Sequence, residues 1–368
     1  MKKALILGFL LVFALSMVLV ACGEAEETTT TAAPVETTTT AGAATQEPVT
    51  FKLASTFNEN ETGGKIVQHF ADYITEKTNG AVTIEVYPGG TLGGPPELLD
   101  LVTTGSADIV PLGHPPFADK LPLLNFPMWA PGDPQAAIDY FNTLVFDDPA
   151  TSALIQKEAE NLGIKYLGFT AGGANAFISK TPFETLDDLV GKKFGAGGSI
   201  PAFEALGYTV IQAFPPDMYE NLSRGVADAT QMGFAPTVAL KWYEPAPYYK
   251  FDGTYAAGNP WTVNLESWAK LSPETQQIFM DAAKDAEAYS LELDKTDTEA
   301  GVKTITDAGG TVGTLSADDQ AKWWKNLFDA SAADCMARAE KLGITEDMIT
   351  VLSKAAEITN TTWAPPAS

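Results

Sequence analysis

Arginine is nearly missing from this chain: among 368 residues only Arg224 and Arg338 occur. A planar guanidinium grips a carboxylate through two parallel charge-assisted hydrogen bonds that no other side chain reproduces. A site built on that grip has little material here. Histidine and cysteine are as scarce, with His69, His114, Cys22 and Cys335 the full set. Unclustered as they are, they offer no zinc-ligand spacing and no obvious base for a nucleophile. Ser199, between Gly198 and Ile200, is not in a GxSxG elbow. Positive charge is short overall, since 23 lysines and arginines face 47 acidic residues for a formal net charge of −24. That balance excludes a nucleic-acid partner from the expectations. Neither a metal nor a cofactor is expected, and no enzyme activity. After residue 22 no apolar run is long enough to cross a bilayer.

What is present begins with Lys2 and Lys3, an almost wholly apolar stretch over 4–21, and small residues before Cys22, the pattern of a secretory signal. The run Leu19, Val20, Ala21, Cys22 resembles a lipobox, which implies removal of the signal and lipidation of the Cys22 thiol. An uncleaved helical anchor is the alternative. Residues 23–49, rich in threonine and alanine, bury too little apolar surface to order themselves. They read as a stalk, so the body is expected outside the cytoplasm, lipid-anchored in the periplasm or at the outer face of the cell membrane. With Cys22 consumed, no internal disulfide is available. Cys335 reads as a core thiol.

The body exceeds the length at which one core stops growing, so two domains are expected. Strand signals at 51–55, 82–86 and 107–112 alternate with helical periodicity through Ile66, Phe70 and Ile74 and again over 97–102. This is a wound α/β rhythm with a parallel sheet. After a helical stretch over 134–162 and a strand at 164–169, strands at 176–179, 193–196, 209–212 and 229–232 alternate with helices at 201–206 and 217–224. A cleft between two such units is a usual ligand site. Ser272 and Pro273 open a helix reaching about Asp307, before Gly309 and Gly310. Helices over 317–342 and 345–361 close the chain.

The residues Phe51 to Ser55, the helix end Glu76-Lys77-Thr78-Asn79-Gly80, Val82 to Pro88, Gly105 to Ile109, Thr185 to Lys193 (TLDDLVGKK), Tyr219 to Asp228 (YENLSRGVAD) and Trp268 to Gln276 (WAKLSPETQ) together resemble the DctP-type solute receptors of TRAP transporters. The resemblance implies a hinged, two-domain α/β clamshell of the type II periplasmic-binding-protein kind with a long bracing helix. It implies domain I at 50–171 plus 261–300 and domain II at 172–260 plus 301–368. It further implies a small organic solute, closure of the hinge, and delivery to TRAP permease subunits in the membrane. A monomer is expected.

The chain departs from that family where a carboxylate is usually clamped. An arginine expected two residues after the lysine of the GxK motif is Gly195, and the second expected arginine falls in Gly172-Gly173-Ala174-Asn175-Ala176. The solute is therefore expected to be neutral, cationic or anchored otherwise. Candidate contacts are Asn58 and His114 after strand ends, Asn175, Gly195 and Phe214 by motif position, Gln231 where relatives often carry glutamate, and Trp129, Trp242 and Trp261 as aromatic walls. Each has a plainer reading as turn, strand-end or core residue. Lys193, protonated His114 or the backbone N–H groups of residues 195–199 are alternative anchors for an acid. Rival functions are a receptor for an ATP-driven importer or signalling system, and a tethered hydrolase.

Overall fold

Apolar alternation starts the first sheet: β1 (Val49–Ala54) buries Phe51 and Leu53. Helix α1 (Thr62–Lys77) buries Ile66, Val67, Phe70 and Ile74 along one face, and the chain turns out of it through Asn79 and Gly80, both at positive φ. There follow β2 (Val82–Tyr87), α2 (Leu98–Thr103), β3 (Ile109–Pro111) and β4 (Trp129–Pro131). The helical stretch expected over 134–162 comprises two helices, α3 (Pro134–Asn142) and α4 (Pro149–Asn161), separated by a π-helical turn at Thr143–Asp147. Asp148 restarts the helix, its carboxylate accepting from the N–H groups of Ala150 and Thr151 with Pro149 in the first turn. Strand β5 (Ile164–Gly168) ends this half. The computed structural model describes residues 46–113 and 115–366; the signal, Cys22, most of the stalk and His114 lie outside the described residues.

The second half runs β6 (Ala171–Ser179), β7 (Lys193–Ala196), α5 (Ile200–Glu204), β8 (Thr209–Gln212), α6 (Pro215–Ser223), β9 (Ala229–Gly233), α7 (Phe234–Ala239) and β10 (Tyr248–Ala257). Then come β11 (Trp261–Asn264), α8 (Leu265–Trp268), α9 (Pro273–Asp307), β12 (Thr311–Thr314), α10 (Ala317–Leu342) and α11 (Thr345–Ile358). One sheet has the order β2-β1-β3-β11-β5, and the other β12-β10-β6-β9-β7-β8 with β4 on β10.

The sheets are mixed rather than parallel. Strands β1, β2 and β3 pair in parallel, as do β7, β8 and β9. Strand β11 instead enters the first sheet antiparallel to both β3 and β5. In the second, β6 runs antiparallel to both β9 and β10. Chain that passes directly from one sheet to the other, without a helical crossover, has no need to return in the parallel sense. The two α/β domains are thus laced by strands that switch sheets. Helix α9 crosses both: Phe279, Ala282, Ala283 and Ala286 lie in the core of the first sheet, while Ile305 lies in that of the second. Its 35 residues span ~50 Å at 1.5 Å per residue. Helix α11 packs on α4, and α10 on α5 and β10.

Candidate ligand-binding cleft

Between the sheets the chain crosses at residues 169–170, at 258–260, and along α9. The first two crossings are clipped together, since the Gly258 N–H donates to the Thr170 carbonyl at 2.6 Å. A Cβ on Gly258 would fall inside the Thr170 side chain and 2.9 Å from its carbonyl oxygen, so only glycine fits. Around these crossings opens a cleft of about 780 Å³. That volume suits a small organic molecule.

Both sheets and α9 build its walls. Phe57 and Glu61 come from the loop leading into α1, Thr62 and Lys65 from its first turn, and Pro111 and Trp261 from the facing ends of β3 and β11. The segment 170–174 and Phe234 of α7 line it from the second sheet, and Ser290, Asp294 and Asp297 from α9. Trp261 is 1% exposed and stacks flat on Phe70, with ring centroids 4.1 Å apart. Its indole N–H finds no acceptor among the described residues.

Charge in this cleft is negative. Glu61, Asp294 and Asp297 face a single lysine, Lys65. Two of the three carboxylates are engaged: Asp297 accepts from the Thr62 hydroxyl, and Glu61 accepts from the Asn58 backbone N–H at 3.0 Å and its side-chain amide at 2.7 Å. Asp294 has no hydrogen-bond or ion-pair partner among the described residues. Burial, with the neighbouring charge of Asp297, pushes its pKa up to about 6. Gly173, at φ +90°, leaves room for that carboxylate, because a Cβ there would meet Asp294 Oδ1 at 2.8 Å. A second depression of about 520 Å³ lies against Asp294 as well, lined by Asp133, Tyr255, Lys295 and Glu299.

Of the candidate contacts named from sequence, Trp261 alone lines the cleft among the described residues, joined by Gly172, Gly173 and Ala174 from the segment where the family's second arginine was expected. Asn58 sits beside its mouth, turned to Glu61. Asn175 is buried between β6 and β10, its amide donating to the Thr254 hydroxyl at 3.2 Å. Gly195 is interior to β7, where a Cβ would strike Met218 at 2.7 Å. Phe214, 52% exposed, covers Gly197 at the start of α6. Gln231 donates to the buried Asp252 at 2.7 Å, and desolvation raises that carboxyl to about 6. Trp242 belongs to the second core, and Trp129 is partly buried against the largest apolar cluster. Neither arginine lines the cleft: Arg224 pairs with Glu220 at 3.0 Å on exposed surface, and Arg338 pairs with Asp334 on α10. Lys193 donates to the Gly225 carbonyl, away from the cleft. Cys335 is buried, its pKa raised to about 11 by desolvation.

Sequence reasoning missed the acidic wall. Asp294 and Asp297 stand three apart on the expected helix, a spacing that places both on one face. That pair, in the element expected to span both domains, was the available signal.

A sequence profile described as "Bacterial extracellular solute-binding protein, family 7" (DctP) matches residues 53–335. A solute-binding protein of Sulfitobacter sp. strain NAS-14.1 is 27% identical over 301 residues, covering 79% of this chain and 89% of the relative. The crystal structure of a TRAP periplasmic solute-binding protein from Rhodobacter sphaeroides, in an open form without ligand, superposes with a TM-score of 0.71 at 24% identity, over 85% of this chain and 98% of that one. Another, from Sulfitobacter sp. NAS-14.1 with bound β-D-galacturonate, gives 0.65 at 19% identity over 85% of this chain and all of the other. These relatives are solute-binding proteins, not enzymes. The chain belongs to the DctP family, the bacterial extracellular solute-binding proteins of family 7.

Proposed function

We propose that this chain is the extracytoplasmic receptor of a TRAP transporter, binding a small organic solute in the cleft and delivering it to the membrane permease. The observation that carries this reading is the cleft itself, placed where both sheets and a shared helix meet in a member of this family. A solute touching both walls favours the closed arrangement by its contacts there, and the permease reads that state. The lobes are 50–171 with 261–300 and 172–260 with 301–368, acting as a monomer. Acyl chains on Cys22 and the stalk over 23–49 hold the receptor at the membrane.

Galacturonate, held by one relative, carries a carboxylate. Here no arginine reaches the cleft, so the solute is not held by a guanidinium clamp. A thermal-shift screen across organic acids, polyols, amines and aromatics tests the reading, since a micromolar binder at millimolar concentration adds ~4 kcal/mol of stability. Stabilisation by ordinary dicarboxylates or keto acids would contradict the missing clamp. Cys22→Ala should release the protein from the membrane fraction; retention would contradict the anchor.

A further inference from the structure

Resting on the reading of this cleft as the solute site, we propose that its floor determines which solute is held. The Thr170 hydroxyl and the Asn259 side-chain amide, one on each chain crossing, bind an oxygen of the solute, hydroxyl or carboxylate, through uncharged hydrogen bonds. Three observations converge on this pair. Thr170 lines the cleft and is only 8% exposed, yet its hydroxyl has no hydrogen-bond partner among the described residues. A buried hydroxyl left unmatched is costly until something bonds to it. Unlike the Trp261 N–H, it is not sealed from solvent, so a solute can reach it. Asn259 lines the cleft as well, half-buried, with its amide beside Gly113, where an added Cβ would meet Oδ1 at 3.6 Å. That amide too lacks a partner among the described residues. The neighbouring Ser290 shows the contrast, because its hydroxyl accepts from the Ala171 N–H at 2.8 Å and donates to the Glu287 carbonyl at 2.6 Å.

Backbone geometry holds the pair together. The Gly258 N–H donates to the Thr170 carbonyl at 2.6 Å, and a Cβ on Gly258 would lie 2.1 Å from Thr170 Oγ1. The hydroxyl therefore rests against the crossing whose next residue is Asn259. A threonine hydroxyl and an asparagine amide each both donate and accept, so together they match a solute hydroxyl or a carboxylate oxygen without a guanidinium. The crossings belong to both lobes at once. Contacts made there are alike in the open and closed forms, and an interaction equal in two states shifts neither. The floor thus sets affinity, while the walls on α1 and α7 drive closure.

The test is binding to the purified protein by thermal shift and calorimetry at pH 7.5, with galacturonate, galactose, glycerol and benzylamine as named probes within the wider screen. Oxygen-bearing probes should stabilise the protein and benzylamine should not. A preference for galacturonate over galactose assigns the bound oxygen to a carboxylate, and equal binding assigns it to a shared hydroxyl. Thr170→Val and Asn259→Leu should each weaken the strongest binder ~10-fold, the worth of about one buried hydrogen bond. Thr170→Ser, which keeps the hydroxyl, should retain most of the affinity. The melting temperature of the unliganded Thr170→Val protein should not fall, and at saturation each variant should still compact as the parent does in small-angle X-ray scattering. Undiminished affinity in both variants, binding of benzylamine alone, or a loss of affinity shared by Thr170→Ser would overturn the proposal and leave the receptor reading standing. Silence from every probe of the screen would overturn it too, and would count against the receptor reading as well.

Discussion

At the scale of single residues, the cleft holds groups that the folded protein leaves unmatched. Asp294 and Trp261 are the two clearest. Asp294 has a folded pKa raised to about 6, so its contribution to stability is fully present below the unfolded carboxylate value and is lost as pH rises through 6. Asp294→Asn should therefore raise the melting temperature of the unliganded protein at pH 7.5 and leave it nearly unchanged at pH 4; a lower melting temperature at both would show that the carboxylate is structurally satisfied. Trp261→Phe keeps the stack on Phe70 and removes the unmatched N–H. It should cost the unliganded protein little, since a buried unpaired donor is itself unfavourable by about 1–3 kcal/mol. A melting curve of the variant beside that of the parent protein checks this, and a large drop would show that the N–H is satisfied after all. Sites that sacrifice stability in this way are common where function needs unmatched groups.

At the scale of elements, the chain crossings and α9 decide the cleft's shape. Gly258 admits no Cβ beside Thr170, so Gly258→Ala should pry the crossings apart and destabilise by about 2 kcal/mol or more, the range for forced overpacking. An unchanged denaturation midpoint would mean the crossings are free to separate. On α9, Gly301 lies under Phe234, where a Cβ would approach the ring to 2.7 Å. Gly301→Ala should destabilise even though alanine favours helix by about 1 kcal/mol; urea denaturation tells which term wins.

The elements also show what was legible beforehand. Helix α9 was readable from end to end, because Ser272 and Pro273 open it and Gly309 and Gly310 follow it. Strand β10 was not: Asp252 and Gly253 interrupt its apolar pattern, and the register shifts between Phe251 and Tyr255. Without β10 the antiparallel lacing of the second sheet is invisible, and Asn175, Gly195, Gln231 and Trp242 are mistaken for cleft positions instead of strand-interior or core ones. Trp261 was legible as an aromatic candidate. The acidic pair on α9 looks from sequence like any solvated helix face, and becomes a wall only when the crossings bring both sheets against it.

At the scale of the whole molecule, titration and closure are the two global properties open to test. Glu158, raised to about 7 by burial despite the N–H groups of Leu123 and Leu124, joins Asp252 and Asp294, each raised to about 6. All three disfavour the fold as pH climbs past their folded values. Asp148 and Asp188 go the other way, lowered chiefly by backbone N–H groups of their helix starts, and their stabilisation is lost as pH falls through their folded values. Stability should therefore peak near pH ~4–5, in the window between the two sets, and decline between pH 5 and 8. A melting temperature that rises steadily to pH 8 would contradict this balance. The account as a whole stands on a cleft that closes about a solute. Its most direct test is the distance between spin labels at Glu59 and Lys241, exposed positions next to the cleft-lining Asn60 and Leu240. The account predicts a long separation without ligand that shortens when the most stabilising compound of the screen is added. A distance unchanged at saturation would contradict it.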